Sequence, residues 1–232
     1  YIKGTPSVKK VYLINQDYSF GQSVRTQARK MLGAKRPDVK IVGDELHPLL
    51  KVTDFAPYIA KIKASEADTV VTGNWGQDLA LLIKAANDAG LGNVKFFTYY
   101  GGVTGTPTAL GPQAAGNVYM VSYNHMNLPG PIGEITKGFQ QKMNDDMFTA
   151  ATYNAFALLS KAMAEAKTTD PAQVAQAMEG LKFQGFNGEN EMRRDDHQLQ
   201  QVLFVTRWEK ISDEYPYSLE KTGYSFQPVK TY

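Results

Sequence analysis

Three short stretches carry side chains suited to gripping a small molecule. NQDYSFGQS (15–23) offers Asp17, Tyr18 and Phe20, TGNWGQD (72–78) offers Asn74, Trp75 and Asp78, and TYYGG (98–102) offers Tyr99, Tyr100 and Gly101. Aromatic rings are large, rigid and amphipathic, the properties a selective pocket lining uses. Helices that begin near Gly21 and Asp78 aim backbone amides at whatever lies beyond them, which favours an anion such as a carboxylate. Gly21, Gly76 and Gly101 fit either a close backbone approach or ordinary turns. Phe20 and Trp75 could instead cap the end of a hydrophobic core.

Other chemistry has little support. The chain contains no GxxxxGK[ST], GxSxG or HExxH motif, and GGVTGTP (101–107) lacks the spacing of a dinucleotide loop. His47, His125 and His197 stand far apart, each reading as a surface or capping histidine. RRDDH (193–197) reads as a solvated charge cluster. With no cysteine, thiolate metal sites, disulfides and a Cys nucleophile are excluded. No metal and no cofactor is expected. The 25 basic and 23 acidic residues are interleaved, so nothing marks a nucleic-acid surface.

The elements that must position the three stretches follow one rhythm. Apolar runs begin near Val11 (VYLIN), Lys40 (KIVGDE), Thr69 (TVVTG), Lys95 (KFFTYY) and Asn117 (NVYMVSY). Amphipathic helices lie between the first four, with Val24, Ala28, Met31 and Leu32 on one face, Phe55, Ile59 and Ile62 on the next, and Leu79, Leu82, Ile83 and Ala86 on the third. Near-continuous apolar strands at this spacing predict right-handed βαβ units and an open parallel sheet with helices on both faces, an α/β fold. Parallel strands present the same end, so all three stretches lie on one sheet edge, beyond the strand C-termini where ligands bind in such folds.

After Tyr123 the rhythm breaks. NHMNLPGPIGE reads as a linker, followed by a helix carrying Ile135, Phe139 and Met143. A long helix from Thr149 to Lys167 places Phe156, Leu159 and Met163 on one face, and a third runs from an Asp170–Pro171 start to Gly180. FNGENEMRRDDHQ reads as polar and turn-rich, QVLFVTRWEK as a strand, and 211–232 as an aromatic loop-like tail. The middle segment supplies no sheet for its helices. The first residue is Tyr1 and no signal peptide precedes it, so the chain reads as processed, trimmed or truncated.

These residues carry a resemblance. KKVYLINQDYSFGQSVRTQARKML, TDFAPYIAKIKASEADTVVTGNWGQDLALLIKAANDAGL, TYYGGVTGTPTALGPQAAGNVYMVSY, FTAATYNAFALLSKAMAEA and LKFQGFNGENEMRRDDHQLQQVLFVTRW resemble, in that order, stretches of the solute-binding proteins of branched-chain-amino-acid-type ABC transporters. The likeness runs from about Val8 to about Trp208. It implies a two-lobed type I periplasmic binding protein, leucine/isoleucine/valine-binding-like, that is not an enzyme and that delivers a small-molecule ligand to a membrane permease. Residues 1–122 plus 200–232 would form the second lobe, and 123–199 a helical segment of the first lobe whose sheet lies outside this chain. Phe20 and Trp75 then fall at aromatic positions of the second lobe's ligand wall and Phe148 at one of the first. Tyr100 falls where amino-acid-binding members carry the glutamate that pairs the ligand's ammonium group. A buried ammonium without a carboxylate costs several kcal/mol. The departure therefore points to a carboxylate lacking an ammonium, such as an aromatic acid, with an amino acid as the family default and Asp17 or Asp78 as the substitutes. Exposed apolar faces around Phe139, Phe156, Leu159 and Met163 predict self-association of the chain. Two other readings compete: an α/β enzyme using Asp17, Asp78 or His125, and a ligand-sensing regulator domain.

Overall fold

The computed structural model describes residues 1–148 and 150–232, and Thr149, the expected start of the long helix, lies outside the described residues. The chain divides into two compact units, Tyr1–Ser122 with Val205–Lys230, and Tyr123–Phe204 with Thr231–Tyr232. Residues 200–204 thus group with the second unit rather than the first.

The first unit alternates strand and helix: β1 (Lys10–Gln16), α1 (Ser19–Lys35), β2 (Lys40–His47), α2 (Ala56–Ala64), β3 (Thr69–Val71), α3 (Gly76–Asp88), β4 (Lys95–Thr98), a short α4 (Thr106–Leu110) and β5 (Val118–Ser122). β1 pairs in parallel with β2 and β3, β3 with β4, and β4 with β5. The strand runs and their parallel pairing are as the rhythm predicts. Six of the seven residues of β1 are buried, because it lies between two neighbours and under helices. Phe55, Ile59 and Ile62 are buried, as are Leu79, Leu82, Ile83 and Ala86. On α1 the expected face is only partly used: Leu32 is buried, whereas Met31 is exposed.

The second unit holds α5 (Pro131–Met143), α6 (Ala150–Ala166), α7 (Pro171–Met178), β6 (Lys182–Gly185), β7 (Gly188–Met192) and β8 (Leu199–Gln200). Asp170 caps α7 by accepting from Gln173 N at 3.0 Å, with Pro171 in the first turn. Here the sequence reading needs correction. β6, β7 and β8 form a small antiparallel sheet in and around the tract 186–198 that reads as turn-rich, so this unit has a sheet of its own. These strands are masked because their outward positions are charged or polar: Lys182 pairs opposite Glu191, while Phe183, next on β6 and opposite Asn190, is buried. The helix phases also differ. On α5, Ile135 and Met143 are exposed, whereas Ile132 and Phe139 pack inward and Thr136 is buried. On α6 the buried stripe is Ala150, Asn154, Leu158 and Ala162, with Phe156 and Leu159 exposed. The small alanines let α6 approach its neighbours closely, so the buried stripe is the slim one rather than the bulky one.

The last two strands complete the first unit's sheet. β9 (Phe204–Lys210) and β10 (Tyr224–Thr231) extend the order to β10-β9-β5-β4-β3-β1-β2. Reciprocal bonds between Leu203 and Tyr232, and Ile211 N donating to Gly223 O, run the two strands in opposite directions. The end of the expected loop-like tail, Tyr224–Thr231, is therefore a strand, while 211–223 is irregular apart from one short helical turn. Pro228 disguises the strand, and β10 tolerates a proline because it is the sheet's edge. Among the described residues no helix is long and apolar enough to cross a membrane.

Candidate functional site

Tyr18 and Trp75 are the residues that immediately precede α1 and α3, both in extended conformation. Neither aromatic side chain can cap the helix it precedes, and neither helix has a side-chain cap. Instead they bond to each other: Trp75 Nε1 donates to Tyr18 OH at 2.7 Å. Rings continue from this pair, with Tyr18 and Phe20 centroids 6.2 Å apart, Phe20 and Tyr100 5.7 Å, Phe20 and Tyr99 6.3 Å, and Tyr99 and Tyr100 4.6 Å at 84°. All the contacts are tilted or edge-on, the arrangement ring quadrupoles prefer. Five aromatic side chains from the segments that follow β1, β3 and β4, Phe20 from the first turn of α1 and the others from loops, thus form one rim on one sheet edge. Tyr18, Phe20, Trp75 and Tyr99 are half-buried, and Tyr100 is exposed.

The remaining expected residues take other places. Asn74 is fully buried beneath the rim, its Oδ1 3.0 Å from Nε2 of His47, the last residue of β2. Gly101 is buried because a side chain there would meet the Phe226 ring at 2.7 Å. Without a side chain it leaves room for Phe226 of β10. Gly21 is likewise structural: a Cβ would lie 1.9 Å from the Gln16 carbonyl oxygen. Phe148 belongs to the second unit and is half-buried, following Met147, which packs with Ala150 and Phe186.

Under the rim lies a polar layer that sequence reasoning largely missed. Asn15, Gln16, His47, Thr72, Asn74 and Asp78 are each at most 2% exposed. Asn15 Oδ1 accepts from Gly73 N at 2.7 Å, and Thr72 Oγ1 from Asn74 N at 3.0 Å. Asp78 Oδ2 accepts from Gln16 Nε2 at 2.7 Å and from Leu50 N at 2.8 Å. The available signal was positional, since a buried apolar strand that ends in Asn15–Gln16 needs partners for two amides. His47 is not at the surface: it packs edge-on against Phe55, with centroids 5.0 Å apart at 89°. Neither is His125, which is 7% exposed in the second unit, and burial pushes its imidazole down to about 4. His197 is exposed, 3.7 Å from Glu179. RRDDH is solvated as expected, with Arg193 paired to Asp196. Asp17 is exposed and accepts from Gln22 Nε2 at 2.8 Å, so neither acid named as a substitute partner stands unengaged.

The parallel-sheet fold is shared with known proteins. The chain is 32% identical to a Leu/Ile/Val-binding protein homolog 4 of Brucella melitensis over 97% of its own length, and spans about half (54%) of that relative. It superposes with a TM-score of 0.87 and 28% identity on the closed crystal structure of a leucine-, isoleucine-, valine-, threonine- and alanine-binding protein from Brucella ovis, covering all of this chain and 60% of that one. A solute-binding protein of an ABC transporter from Rhodopseudomonas palustris HaA2, solved with p-hydroxybenzoic acid, shares the fold at a TM-score of 0.81 and 23% identity, over 100% of this chain and 62% of that one. Residues 1–214 match the periplasmic binding protein family, to which the chain therefore belongs.

Proposed function

We propose that the chain is part of an extracytoplasmic solute-binding component of an ABC importer, located in the bacterial periplasm. It captures a small amino acid or carboxylate between two lobes and presents it to a membrane permease. The first unit supplies the second lobe, and the second unit supplies helices of the first lobe. Phe148 then contributes an aromatic from that lobe. The observation that carries this reading is the five-ring rim at the C-terminal sheet edge, framed by two helix starts without side-chain caps.

The ligand class follows from Tyr100. It is a ring, packed on Phe20 and Tyr99, at the position where amino-acid-binding members place an acid. With Asp78 held by Gln16 and Leu50, the rim has rings for an aromatic acid and no matched carboxylate for an ammonium. The protein works without catalysis, since Asp78 serves a structural contact and His125 is enclosed. The exposed face of α6 around Phe156 and Leu159 is where the chain would self-associate.

The test is a thermal-shift and calorimetry screen of the full-length gene product with leucine, isoleucine, valine, benzoate and 4-hydroxybenzoate. Aromatic acids are expected to stabilise it, by about 2.7 kcal/mol at a hundredfold excess over the dissociation constant. Stabilisation by leucine alone would overturn the aromatic preference and mean that another acid pairs the ammonium. Silence across both sets would count against ligand capture by this rim.

A further inference from the structure

The rim is built from three separate segments, and one side chain that belongs to none of its rings joins two of them, those after β1 and β3, to the loop after β2. Asp78 lies in the first turn of α3 and is completely buried. Its Oδ2 takes two hydrogen bonds, from Gln16 Nε2 at 2.7 Å and from Leu50 N at 2.8 Å. Gln16 is the last residue of β1, and its Nε2 also lies 3.4 Å from Trp75 O. The Gln16 carbonyl accepts from Tyr18 N at 2.9 Å, so the same residue sets the backbone that presents Tyr18. Leu50 belongs to the loop after β2 and is held at φ 54°, a conformation that costs a non-glycine residue about 1 kcal/mol or more unless its surroundings impose it. A single buried carboxylate therefore joins the ends of β1 and β2 to the turn that carries Asn74 and Trp75. Its second oxygen, Oδ1, is also buried and has no hydrogen-bond partner among the described residues, so the group is held through Oδ2.

We propose that Asp78 is the positioning residue of the rim: its carboxylate holds the Trp75 turn against the end of β1, so ligand affinity depends on a group the ligand never touches. The proposal rests on the reading of the rim as a ligand wall, but its geometric half does not need a ligand. Aromatic contacts select a ligand only if the rings are already in place, because each ring ordered on binding subtracts from affinity. Tyr18 and Trp75 are locked to each other through one bond, so a shift of the Trp75 turn carries Tyr18 with it. The Tyr18–Trp75 side of the rim would loosen as a unit.

The chain's two tryptophans make the test direct. Trp75 is half-buried in the rim, whereas Trp208 is fully buried in the core beside Tyr224 and Phe226. In the full-length gene product, Asp78→Asn keeps the shape of the side chain and removes its charge. Gln16→Met, a second variant of similar length, removes the donor instead. Acrylamide quenching is measured without ligand, with Trp75→Phe supplying the signal of every other tryptophan. Both variants are expected to raise the quenching of Trp75 at least about twofold and leave the remainder unchanged. With 4-hydroxybenzoate or leucine, whichever the wild type binds, affinity is expected to fall about tenfold, equivalent to about 1.4 kcal/mol. A melting temperature that drops while Trp75 quenching and affinity stay at wild-type values would overturn the proposal, as would quenching that rises equally for all tryptophans. If the wild type binds neither probe, the ligand reading fails and Trp75 quenching alone decides whether Asp78 positions the turn.

Discussion

Gly21 has no room for a methyl group. In α1 it faces the carbonyl oxygen of Gln16, 1.9 Å from where a Cβ would stand, and that oxygen belongs to the backbone of β1 rather than to a side chain that could swing away. Gly21→Ala must therefore push α1 off the strand, and with it Tyr18 and Phe20. Ala is the better helix former by about 1 kcal/mol, so propensity alone predicts stabilisation. Overpacking against backbone costs about 1–3 kcal/mol or more and wins. The expected result is a lower urea midpoint with an unchanged slope. A midpoint at or above wild type would mean that α1 and β1 can separate freely. The same crowding explains why this glycine, which looked compatible with a ligand approach, is a packing residue, whereas the rings beside it form the rim. The residue types were legible in the sequence, but the neighbour 1.9 Å away was not, because it arrives through the chain's fold rather than its local pattern.

At the scale of elements, α6 separates what bulk suggests from what packing uses. Leu158 is 7% exposed and packs with Ala162, Val174, Leu181 and Phe183, whereas Phe156 is 65% exposed. Leu158→Ala should cost about 2–5 kcal/mol. At concentrations too low for self-association, Phe156→Ser should stay within about 0.5 kcal/mol, as surface substitutions usually do. Chemical denaturation of both variants decides, and a larger loss for Phe156→Ser would show that its ring is covered in solution. Phe156, Tyr153, Ala157, Ser160, Thr152 and Met147 border a hollow of about 460 Å³ on this helix, which a serine would merely enlarge. Much of the fold was readable because β1, β3, β4 and β5 are buried runs separated by helices with clear apolar faces. What escaped has physical reasons. β6 and β7 face solvent with alternating charges, Pro228 masks an edge strand, and α6 buries Ala150, Asn154 and Ala162, residues that no hydrophobicity count favours. The polar layer under the rim escaped for the same reason, since only assembly shows that Gln16, Leu50 and Asp78 meet.

For the whole molecule, the two units differ in what acid does to them. His125 lies in the second unit, its ring edge-on to Phe204 with centroids 4.8 Å apart at 90°, and its Nδ1 has no hydrogen-bond partner among the described residues. Burial favours the neutral ring and pushes its pKa down to about 4, from 6.5 in an unfolded chain. Between those values the unfolded chain binds a proton that the folded one refuses. Stability is therefore fully present above about pH 6.5 and falls as pH drops towards about 4, by about 3 kcal/mol in all. The paired carboxylates Asp38, Glu66 and Asp196 are held below their ordinary range by Arg36, Lys10 and Arg193, so their contribution is lost only at lower pH. Both tryptophans are in the first unit, while α5, α6 and α7 are in the second. Far-ultraviolet circular dichroism thus reports both units and tryptophan fluorescence only the first. In urea titrations of the 232-residue chain through this pH window, the dichroism midpoint should fall ahead of the fluorescence midpoint, and His125→Leu should remove most of that fall. A variant that tracks the wild type at every pH would place the acid sensitivity elsewhere. Midpoints that coincide at every pH would mean the two units unfold as one, and that the cost of enclosing His125 is borne by the whole chain.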